Sequence, residues 1–192
     1  MTILLAGLVL FLGIHSTRIV ADGFRARQLA GMGEGSWKLL YTAISFAGLG
    51  LIIWGYGLAR QAPVALYDPP AWTRHIAALL MLISFVLTVA AYVPRNHFKA
   101  KIGHPMLAGT KVWAFAHLLS NGTLADVLLF GGFLAWAILC FVSMRKRDRA
   151  AGKTYAPGTT KGDVVTVLVG TALWVGFAFW AHAWLFGVRP FA

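Results

Sequence analysis

Six apolar stretches, with basic residues in short runs between them, constrain this chain more than any other feature. A helix needs roughly 20 mostly apolar residues to cross a bilayer. Such stretches recur at about 1–21, 37–59, 74–93, 105–120, 123–144 and 164–187. Hydrophobic residues make up 59% of the 192 and charged residues 12%, with a mean hydropathy of +0.72. A typical soluble domain carries roughly half and a quarter. This excludes a disordered protein, a nucleic-acid-binding basic domain and a soluble enzyme. The expected fold is all-α: an integral membrane bundle of six transmembrane helices, built as one domain over residues 1–192.

Lys and Arg number 17 against 6 Asp and Glu, for a net charge of +11. In a soluble protein that excess would suggest nucleic acid. Here the basic residues lie between the apolar stretches. Assigning loops alternately to two sides puts 14 of the 17 on one side and leaves Arg60, Arg74 and Arg189 on the other. The richer side is cytoplasmic by the positive-inside rule, so both termini are expected in the periplasm of a bacterial inner membrane. The first stretch does not read as a signal peptide, because no positive charge precedes it and no small-x-small site follows. Asn121-Gly122 is a turn signal, expected to join the fourth and fifth stretches as an antiparallel hairpin. The polar run Arg145 to Gly162 reads as a basic cytoplasmic loop, with each charge near an anionic lipid surface worth about 1 kcal/mol.

Chemistry has few places to sit. The single Cys140 forms no intrachain disulfide, zinc site or CxxCH haem attachment. Asp22, Glu34, Asp68, Asp148 and Asp163 fall in loops or at span ends, and Asp126 lies one turn into the fifth helix. That pattern argues against a carboxylate-driven pump or an intramembrane aspartyl protease. No GxSxG or HExxH occurs. Six histidines remain. His75 and His97 read as interfacial, and His182 as part of an aromatic belt near the outer end of the sixth helix. His104, followed by Pro105, reads as the cap of the fourth helix.

His15 and His117 differ from these. His15 stands about 20 Å along the first helix, within the bilayer, and on that helix it shares a face with Arg18 and Asp22. His117 shares a face with Trp113 and Asn121. Burying imidazole in hydrocarbon costs several kcal/mol unless its nitrogens find partners. Two readings follow: packing histidines hydrogen-bonded between helices, or ligands of a haem iron. With one Cys, any haem is b-type and non-covalent.

His15-Ser16, Gly103-His104-Pro105-Met106 and the run from Lys111-Val112-Trp113 through Ala116-His117-Leu118-Leu119-Ser120-Asn121-Gly122 resemble the NnrU family. These are bacterial inner-membrane proteins linked to denitrification and nitric-oxide metabolism, and the resemblance extends over essentially the whole chain. The family is similar to plant 15-cis-ζ-carotene isomerase, a membrane enzyme that holds haem b through histidines. That resemblance implies haem b bound by His15 and His117. Counted residue by residue, the two differ by roughly 10 Å in depth, which leaves His104 or His182 as substitutes on one side. Arg18, one turn beyond His15, is placed to meet a haem propionate. The likeness also implies an alternative activity, cis-trans isomerisation of a carotenoid-like polyene, with a hydrophobic small molecule as a partner beside the lipid. The His-Pro motif further resembles membrane isoprenylcysteine methyltransferases and sterol reductases. Their acidic and tyrosine cofactor residues correspond here to a basic stretch with only Tyr155, which disfavours that reading.

Overall fold

Ala21 ends the first apolar helix, because its backbone (φ −139°, ψ 43°) leaves the helical region. The computed structural model describes residues 1–191. Helix α1 (Thr2–Val20) is followed at once by α2 (Asp22–Ala59). The stretch from 22 to 36, expected as a loop, is therefore helical, with one break at Gly33 (φ 80°, ψ 164°), where a side chain would be strained. Then come α3 (Thr73–Ala90), the short α4 (His97–Ile102), α5 (Pro105–Ser120), α6 (Leu124–Ala150) and α7 (Thr160–Gly176). A π-helical turn over Phe177–Ala181 leads into α8 (His182–Phe186). Among the described residues there are no strands, only one isolated bridge between Ala65 and Thr123.

Five helices are long and apolar enough to cross a membrane: α1, α2, α3, α6, and α7 with its continuation to Phe186. The fourth expected span is present as α5, with 16 residues. At 1.5 Å per residue it is about 24 Å long, shorter than a hydrocarbon core of about 30 Å. A further loop expectation is corrected: helix α6 continues to Ala150, so the start of the expected cytoplasmic loop is helix. His97, read as interfacial, is the first residue of α4.

Contacts divide the chain into two compact units. The first comprises Met1–Tyr67 and Gly122–Trp136. In it α1 lies against α2 through glycines: a Cβ at Gly7 would come within 2.6 Å of the Ile52 nitrogen, and one at Gly48 within 2.8 Å of the Phe11 nitrogen. Lipid tails are as apolar as leucine, so membrane helices associate by close backbone approach, and small residues permit it. Leu4 meets Gly55 while Phe11 meets Gly48, so the two helices are antiparallel. The first half of α6 joins them. Phe11 contacts Phe133 at 5.6 Å and His15 contacts Trp136 at 6.0 Å, so α6 runs in the same direction as α1. Its start is a capping box. The Thr123 hydroxyl accepts from the Asp126 nitrogen (3.3 Å), and the Asp126 carboxylate accepts from the Thr123 nitrogen (3.0 Å). The Tyr56 hydroxyl donates to the same carboxylate at 2.5 Å, tying the end of α2 to the start of α6.

The second unit comprises Asp68–Asn121 and the chain from Ala137 onward. Here α3 packs against both α5 and α7. The Ser84 hydroxyl donates to the Gly109 carbonyl at 2.9 Å where α3 and α5 meet. Asn96 is buried and joins two elements. Its Oδ1 accepts from the Lys99 nitrogen to cap α4, and its Nδ2 donates to the Ala90 and Val93 carbonyls at the end of α3. His104 meets Asp148, and seven residues further along α5, Lys111 meets Phe141, seven residues back along α6. These parts of α5 and α6 are thus antiparallel, as the turn signal predicted.

The outer surface is apolar. Val9 and Phe46 are each 70% exposed. In water such faces would drive association; in a bilayer they meet acyl chains.

Candidate functional site

The protonation of each imidazole follows from what it touches. His15, in the last turns of α1, places Nδ1 2.6 Å from the Phe11 carbonyl. A carbonyl only accepts, so Nδ1 carries the proton and donates, and the lone pair of the neutral ring lies on Nε2. Aromatic rings surround it. Phe11 stacks on the imidazole at 4.2 Å, Tyr41 lies at 5.1 Å, and Trp136 meets it edge-on at 6.0 Å. The Trp136 Nε1–H is buried with no acceptor among the described residues. Such a donor in a dry interior costs free energy until an acceptor arrives. Arg18 stands one turn further along α1. Asp22 does not share that face, because the break at Ala21 starts a new helix.

His117, in the last turn of α5, repeats the arrangement in the second unit. Its Nδ1–H donates to the Trp113 carbonyl at 2.9 Å, placing the lone pair on Nε2, and the Trp113 ring lies 5.4 Å away. Asn121, on the same face, donates from Nδ2 to the His117 main-chain carbonyl at 2.9 Å. Fixing one ring nitrogen by a carbonyl while the other keeps a lone pair is the usual way a protein prepares a histidine for a metal.

His104 and His97 are engaged by carboxylates, while the exposed His182 also has a carbonyl-fixed Nδ1. His104 caps α5 as expected, but its Nε2–H donates to Asp148 Oδ2 at 2.8 Å, and the Tyr155 oxygen lies 3.2 Å from the same nitrogen. Tyr155 also donates to Asp148, while Lys153 lies 3.7 Å from the other carboxylate oxygen. Burial pushes the Tyr155 phenol up to about 12, helped by its bond to Asp148 and that residue's charge, and opposed by Arg145. His97 donates from both its main-chain nitrogen and Nδ1 to Asp163. His182 donates from Nδ1 to the Val188 carbonyl at 2.7 Å, in an exposed position.

Sequence reasoning passed over Trp136, Asp148 and Tyr155. Asp148 had a signal, as the lone acid inside the basic run from Arg145 to Lys153. Trp136 had none, since its importance lies in a contact with a residue more than a hundred positions away. Among the described residues no group of three or more His, Cys, Asp or Glu is gathered to hold a metal ion. A haem brings its own ring nitrogens and asks only one or two axial ligands of the protein. Imidazoles with carbonyl-fixed Nδ1 fit that demand.

Comparison with protein families matches residues 3–190 of the 192 to the NnrU protein family. No curated protein and no solved structure matches the chain.

Proposed function

We propose that this chain, which belongs to the NnrU family, is a membrane haem-b protein that holds its iron through His15 and His117 and serves nitric-oxide and denitrification metabolism. The observation that carries the reading is the matched state of the two imidazoles. Each donates Nδ1–H to the carbonyl four residues earlier, which places the ligand lone pair on Nε2. Support also comes from the apolar rings around His15, which suit a flat hydrophobic group, and from the unsatisfied Trp136 donor beside them. When bound, the haem supplies an iron centre able to take up nitric oxide or pass one electron. Arg18 would meet a propionate, in a charge-assisted bond worth roughly 1.5–3 kcal/mol. His104 is disfavoured as a substitute ligand, because its Nε2 is committed to Asp148. The test is haem content. Protein expressed with a haem precursor and purified in detergent should carry haem extractable by acid–acetone, near one per chain; haem-free protein from haem-replete cells rejects the reading.

The reading includes six crossings of a bacterial inner membrane with both termini periplasmic. The support is directional. The parallel run of α6 and α1 is consistent with an even number of crossings between α2 and α6, which favours counting α5 with α3.

A further inference from the structure

We propose a second site in the second unit: the facing ends of α5 and α6 bind the phosphodiester of an anionic glycerophospholipid through Lys111 and Arg145. Lys111 lies six residues into α5, about 9 Å from its start, on a helix whose other residues from Pro105 to Ser120 include no Asp, Glu or Arg. Its ammonium sits 3.8 Å from the centre of the Phe141 ring. Among the described residues it forms no ion pair. A ring face offsets only part of the cost of a charge at that depth, and ionisable groups within membrane segments commonly mark where a ligand binds.

Arg145 lies one turn beyond Phe141 on α6, on the same side. Its guanidinium reaches Gly103, where a Cβ would come within 2.9 Å of Nη1. Gly103 has φ +78°, a conformation that disfavours any side chain, so the backbone is held clear beside the guanidinium. Arg145 too forms no ion pair among the described residues. Asp148, the carboxylate that could neutralise these cations, is already taken by His104, Tyr155 and Lys153. The neighbourhood therefore holds two cations in excess, one a compact ammonium and one a planar donor fork, the pair of groups that recognises phosphate.

The occupant is a lipid and not free phosphate because the charges adjoin an apolar ridge. Ile138, Leu139 and Val142, on the same stretch of α6, are 46%, 60% and 57% exposed. A phosphodiester at Lys111 and Arg145 would lay its acyl chains along them.

The test uses the full chain in a neutral maltoside detergent, with lipid binding read by native mass spectrometry. Phosphatidylglycerol should bind in preference to phosphatidylcholine, and inorganic phosphate should not displace it. Lys111→Gln with Arg145→Gln should weaken phosphatidylglycerol binding roughly thirtyfold, since each basic side chain at an anionic lipid surface is worth about fivefold. Lys111→Arg with Arg145→Lys, which keeps both charges, should retain the preference. Lys146→Gln with Arg149→Gln removes the same charge from exposed positions on α6 and should change binding less than about threefold. Equal binding of the two lipids by the unaltered protein overturns the proposal without any variant. So does an equal loss in the two Gln pairs, which would reduce the effect to general attraction, and so does displacement by phosphate.

Discussion

Burial of the Tyr155 phenol, reinforced by its bond to Asp148, which also accepts from His104, makes the phenol a reporter of the folded state. Its ordinary value is 10.0 and the folded value is raised to about 12. A raised acid favours its protonated form in the native state. The corresponding stability is fully present below pH 10 and is lost as pH rises from there to about 12. Unfolding in detergent followed across that window should show the unaltered protein losing stability more steeply than Tyr155→Phe. Parallel curves would mean that the phenol is not coupled to folding. The same residues show what sequence can and cannot disclose. His15 and His117 stand out because a histidine deep in an apolar run is rare and costly. Tyr155 and Asp148 acquire meaning only from His104, more than forty positions earlier, and no local pattern carries that information. The tautomers of His15 and His117 likewise depend on the Phe11 and Trp113 carbonyls beside their rings, a matter of side-chain rotamer that residue spacing does not carry.

Helix boundaries in this chain are set by backbone chemistry more than by hydropathy. The apolar runs located α1, α3, α6 and α7 closely, because a spanning helix must be apolar along its length. They missed the start of α2, where Asp22, Arg25 and Arg27 break the hydrophobic pattern although the backbone remains helical, and the end of α6, where Arg145 to Arg149 simply continue a helix as charged residues. The α1–α2 contact depends on glycine. Gly7→Val should force the helices apart and cost roughly 1–3 kcal/mol, given the 2.6 Å approach to the Ile52 backbone. At Gly13 a Cβ meets nothing within 4 Å, so Gly13→Ala should stabilise α1 by roughly 0.5–1 kcal/mol through helix propensity. Thermal unfolding of the two variants in one detergent checks the pair. Equal melting temperatures would show that the Gly7 contact does not hold the helices together.

For the whole molecule the sequence disclosed class and family, since composition and charge asymmetry are global quantities. It did not disclose the division into two compact units, which depends on which apolar faces meet, and every apolar face reads alike in a membrane protein. Alkaline phosphatase fused after Ala192 in a bacterial host should be active and fusions between Ala150 and Thr160 inactive; the opposite pattern would reverse the topology. Ligation of haem b by His15 and His117 is read from the absorption spectrum of the purified protein and four alanine variants. The expected result is a low-spin haem spectrum that His15→Ala and His117→Ala each abolish or convert, while His75→Ala and His97→Ala leave it unchanged. An unaltered spectrum in either His15→Ala or His117→Ala, in protein that still elutes as a folded species, would contradict it.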